Sequence, residues 1–118
     1  MSASSAPALR AIAFQLAQAL DRYQQDFDDM AESRGDTGHY RQVTRELHDI
    51  RAMKGVLPQL SEEMAEVLLR HVELVHSVWD AQIRHAGEAT DQTHRLRVRH
   101  RAAVDAMRRK CVALSGEA

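Results

Sequence analysis

The chain has 118 residues, enough for one domain with a core that holds without disulfides or metal. Apolar residues make up 44% and charged residues 28%, as in a globular protein, and the net charge of −1 excludes a general attraction to nucleic acid or anionic membrane. The lone Cys111 can form no internal disulfide, and no run approaches the roughly 20 apolar residues of a membrane span, so a soluble cytoplasmic protein is expected.

Only five residues are aromatic (Phe14, Tyr23, Phe27, Tyr40 and Trp79) and two are proline, which favours helices over a sheet. Residues 1–20 contain no acid, but Arg10, Gln15 and Gln18 interrupt the apolar stretch that a signal peptide would need. A first helix is therefore predicted over 7–34, with Ser5 as cap and Pro7 in the first turn. Leu9, Ile12, Leu16, Leu20, Tyr23, Phe27 and Met30 recur at spacings of three and four and define its inner face. Gly35-Asp36-Thr37-Gly38 reads as the turn that stops it.

A second helix is predicted over 39–56, capped by Asp36 or Thr37. Its inner positions are Tyr40, Val43, Leu47, Ile50, Lys54 and Leu57, and Pro58 ends it. A third is predicted over 62–86, with Ser61 as N-cap and Glu62 and Glu63 in the favourable first turn. Met64, Leu68, Val72, Val75, Val78, Trp79 and Gln82 are its expected inner face, ending near Gly87. A fourth, over 90–114 with Thr90 as cap, uses Leu96, His100, Ala103, Met107, Cys111 and Leu114. Short connections make neighbours antiparallel, and the fold expected is an all-α, up-down, antiparallel four-helix bundle forming a single domain over 1–118. Net charge alternates as −3, +2, −4 and +4 over residues 1–38, 39–60, 61–88 and 89–118, which predicts ion pairs between adjacent helices.

Chemistry finds little support in the pattern. Of seven histidines, His76 stands in a Glu73-x-x-His76 spacing used by metal-binding bundles, and Asp91-x-x-His94 is a looser echo. Glu73 and His76 turn away from the inner stripe, so no metal site and no cofactor is predicted. His71 and His100 do fall on inner faces and are expected to be hydrogen-bonded core histidines, or the ligands of a metal- or ligand-binding bundle if they face one pocket. Cys111 reads as a core residue despite Arg108, Arg109 and Lys110 beside it. The acids Asp21, Asp26, Asp28, Asp29 and Glu32 read as a solvated face, with a docking patch for a basic partner as the alternative. Arg95, Arg97, Arg99 and Arg101 split into two pairs on different sides, without aromatics for base stacking, so nucleic acid is not the expected partner. No catalytic residue is assigned, and no enzyme is expected.

Two resemblances bear on function. Arg51-Ala-Met-Lys-Gly55 looks like the His-x-Leu-Lys-Gly motif of histidine phosphotransfer domains, with Arg51 in place of the phosphorylated histidine. This implies, as an alternative, a degenerate regulatory module that binds receiver domains. Most of the chain resembles the FliT-type flagellar export chaperones. The likeness runs through Tyr23 in a long first helix, the Arg34-Gly35-Asp36 turn, Tyr40, Arg45 and Arg51 around Leu47, and the Leu57-Pro58-Gln59-Leu60-Ser61 junction. It continues through Leu68, Val72 and Leu74 to a basic last helix; the Gly-Asp-Trp of many members is here Gly-Asp-Thr-Gly-His-Tyr. The resemblance implies a non-enzymatic adaptor or chaperone in flagellar or type III export. The expected partner is an amphipathic helix or export substrate laid on a helical surface. Phe14, Leu69 and Leu74, apolar but outside the stripes, are the expected docking residues, with widening of the core or sealing of a homodimer as the alternative.

Overall fold

The computed structural model describes residues 5–32, 37–83 and 91–116. Four helices account for almost all of them: α1 (Ser5–Glu32), α2 (Thr37–Lys54), α3 (Ser61–Ile83) and α4 (Asp91–Ser115). No strand occurs among the described residues, and the fold is an all-α four-helix bundle. No helix among them is long and apolar enough to cross a membrane. The Gly35-Asp36 turn, the helix end near Gly87 and the caps Asp36 and Thr90 lie outside the described residues, as do the side chains of Ser5, Thr37 and Gln82.

Contacts across the bundle fix its antiparallel course. Asp28 meets Arg97 and Arg101 at 3.3 and 3.0 Å, and further back along α1 Asp21 meets Arg108 at 2.6 Å. Glu63 at the start of α3 meets Lys110 near the end of α4 at 3.2 Å, while Ser77 and Thr93 share a 2.5 Å hydrogen bond at the opposite end. On the other flank of α1, Gln42 donates to Asp26 at 3.2 Å. The expected inner faces of α1 and α4 are buried or half-buried throughout, because Leu16, Leu20, Tyr23 and Phe27 meet His100, Ala103, Met107 and Cys111 across the core.

Between α2 and α3 the chain does something that periodicity does not announce. Gly55, Val56 and Leu57 donate to carbonyls three residues back, at 3.1, 3.4 and 2.8 Å, which tightens and ends α2 two residues before the expected limit. Leu57 then takes an extended conformation (φ −127°, ψ 72°), as a residue before proline must, and Pro58–Leu60 form a 3-10 turn. That turn exists because Leu57 and Leu60 both bury their side chains in the core. Ser61 is not the expected N-cap. It is already helical (φ −60°, ψ −42°), and its hydroxyl donates backwards to the Pro58 carbonyl at 2.8 Å. At the far end, Gly116 takes φ +80° just past α4, the left-handed residue that commonly closes a helix.

The inner face of α3 is corrected in two places. Leu74, expected at the surface, is only 1% exposed, whereas Val72, expected inside, is 64% exposed. Met64, Val67, His71, Leu74 and Val75 form the buried arc, so its centre lies near His71, about 40° around the helix from Val75. That rotation carries Leu74 in and Val72 out.

Candidate functional site

Three buried polar side chains meet in the middle of the core. The Tyr23 hydroxyl on α1 lies 2.6 Å from His71 Nδ1 on α3 and 2.8 Å from His100 Nε2 on α4. Phe27, one turn after Tyr23, closes the group, with its ring centroid 4.3 Å from that of His100 and 5.5 Å from that of His71. A phenol has one proton, so Tyr23 donates to one imidazole and accepts from the other. The two histidines therefore hold opposite roles towards it, and one cannot change tautomer without the other.

Burial governs the charges of this cluster. It lowers His71 to about 4. It lowers His100 to about 3, helped by the neighbouring His71 and resisted by Asp28. Burial, followed by the charge of Glu46, raises Tyr23 well above its usual 10. All three are neutral near pH 7, so the cluster offers neither a phenolate nor a protonated imidazole. The hydrogen bonds fill the space among the three atoms. A metal would have to break both, and among the described residues no group of three or more His, Cys, Asp or Glu is placed to hold one. What the cluster does is tie α1, α3 and α4 together with satisfied polar groups. The sequence places His71 and His100 inside; that Tyr23 joins them could be suspected only from its being a phenol on the same kind of stripe.

Other candidates are used up by the fold. Burial, then Glu63, raises the Cys111 thiol to about 11, so it carries no thiolate at neutral pH. Glu73 pairs with Arg70 at 2.7 Å instead of facing His76, which is exposed. Arg97 and Arg101 are drawn to Asp28, and in the open groove of about 710 Å³ beside them, lined by Asp21, Gln24, His94 and Val98, the charged side chains Asp21, Arg97 and Arg101 are already ion-paired. Between α1 and α2, burial followed by the Asp26 carboxyl raises Glu46 to about 7, against Arg22 and Gln42.

The remaining feature is a surface. α1 packs firmly on α2 and α4, and α4 on α3, but α2 and α3 scarcely touch. They meet where Tyr40 packs edge-on against Trp79, with centroids 5.6 Å apart, and are joined through the 3-10 turn at the other end. Between these points Ala65, Leu69 and Val72 stand open on α3, with Leu68 half-buried beneath them. Leu69 is 50% exposed and Val72 64% exposed. Of the expected docking residues, then, Leu69 lies beside this seam and Leu74 is in the core. Phe14 is 45% exposed on the outward face of α1, the helix diagonal to α3, so the three do not form one surface. Compared with known protein families, with curated proteins and with solved structures, the chain matches none of them.

Proposed function

We propose that this chain is a non-enzymatic protein-binding adaptor or chaperone that receives a helix of its partner in the α2–α3 seam. The observation that carries the reading is the exposure of Leu69 and Val72 along a seam that, among the described residues, the bundle's own helices leave unsealed. Branched apolar side chains in such a groove gain by being covered, at about 25 cal/mol per Å² of apolar surface removed from water. A helix laid between α2 and α3 covers them with its own apolar stripe. The FliT-type resemblance supplies the setting of this proposal: a cytoplasmic protein whose client is a component of flagellar or type III export.

The test is co-purification from the source cells of the unaltered chain and of a Leu69→Glu, Val72→Glu variant. A partner near equimolar ratio, lost in the variant while its helical circular dichroism is unchanged, supports the reading. A partner retained equally by both overturns it.

A further inference from the structure

Resting on that reading, we infer that the partner helix is acidic on the flank that faces α2. Three arginines and a lysine of α4 are neutralised by acids of α1 and α3. Arg97 and Arg101 share Asp28, Arg108 takes Asp21 and Lys110 takes Glu63. On α3 itself, Arg70 occupies both Glu66 and Glu73. The arginines of α2 differ. Arg41, Arg45 and Arg51 are exposed and have no ion pair among the described residues.

Their direction follows from contacts on either side of α2. Gln42 bonds Asp26 and so marks the flank that meets α1; Tyr40 packs on Trp79 and marks the direction of α3. At about 100° per residue, Arg51 projects about 20° from Tyr40, His48 about 80° and Arg41 about 100°, whereas Arg45, at about 140°, points outward beside Asp49. The acids of α2 go elsewhere. Glu46 falls on the α1 flank, where Asp26 acts on it, and Asp49 projects about 180° from Tyr40. The seam thus has an apolar wall, Ala65, Leu69 and Val72, and a polar wall whose charges are Arg51 and, at its outer edge, Arg41, neither of them ion-paired among the described residues. Arg41 to Arg51 spans about 15 Å, three turns of helix. The matching ligand is an amphipathic helix with an apolar stripe and carboxylates three or four residues apart along one edge.

Two peptides of about 18 residues with the same leucine stripe, one with glutamates and one with lysines at the flanking positions, test this by fluorescence anisotropy at low and high salt. The glutamate peptide is expected to bind about tenfold more tightly at low salt, with the advantage shrinking as salt is raised. An Arg41→Glu, Arg45→Glu, Arg51→Glu variant is expected to reverse the preference, and Leu69→Glu, Val72→Glu to abolish binding of both. Equal binding of the two peptides overturns the acidic-partner inference and leaves the seam as a docking surface. Binding of neither overturns the docking surface itself. A concentration-dependent dimer in sedimentation, lost in the Leu69→Glu, Val72→Glu variant, makes a second copy of this chain the occupant and overturns the inference as well.

Discussion

At the scale of single residues, the Tyr23 hydroxyl is the most consequential atom in the core, since two imidazole nitrogens from two other helices depend on it. Removing it leaves both buried and unpaired. At about 1–3 kcal/mol for each orphaned polar group, Tyr23→Phe is predicted to cost about 2–6 kcal/mol in urea unfolding. Tyr40→Phe, at a half-buried ring, is predicted to cost under about 1 kcal/mol. Equal losses from the two substitutions would show that the hydroxyl bridge contributes nothing particular. His71 and His100 were readable as inward-facing from their positions in the helical repeat. Their convergence on Tyr23 was not, because the relative heights of three helices depend on connections that periodicity does not describe.

At the scale of elements, the four helices are legible because apolar residues three and four apart can satisfy the core only as helical faces. What escaped the pattern is local or rotational. The 3-10 turn at Pro58–Leu60 depends on two leucines reaching back into the core, and Ser61 gives its hydroxyl to that turn instead of capping forward. A stripe also has a centre that spacing leaves loose by some tens of degrees, and on α3 this sufficed to exchange Leu74 for Val72. Alternating helix charges correctly suggested that α4 pairs with α1 and α3. They suggested pairing of α2 with α3 as well, but among the described residues these two helices scarcely touch. The α2 arc of Val43, Leu47 and Ile50 turns towards α1, while Thr44, His48 and Arg51 leave its other flank polar and exposed. The candidate site was thus half legible. Leu69 was picked out, but the open seam is a property of how helices pair.

At the scale of the whole molecule, buried titratable groups set how the bundle responds to acid. The folded pKa values of His71 and His100 lie below the unfolded value near 6.5, so their contribution is complete above about pH 6.5 and is lost as pH falls towards about 4 and about 3. Glu46 acts in the opposite sense. Its raised value makes its contribution complete below about 4.5 and lost as pH rises through about 7, and its partial exposure weakens the effect. Two groups outweigh one, so the thermal midpoint is predicted to climb from about pH 4.5 to about pH 6.5. His71→Asn, which keeps an acceptor but cannot titrate, is predicted to reduce that slope by about half. A midpoint that is level or falls over this range, or an unchanged slope in His71→Asn, would contradict these assignments.

Whether this molecule meets its partner at the α2–α3 seam is tested most directly by site-specific photo-cross-linking. Val72 in the seam and Val98 on the outward face of α4 are 64% and 56% exposed, so a photoreactive side chain at either position is comparably available. Irradiated in the source cells, the protein labelled at position 72 is predicted to form one cross-linked band with a partner, and the protein labelled at position 98 none. Cross-links at position 98 but not at 72 would contradict the seam as the site of contact.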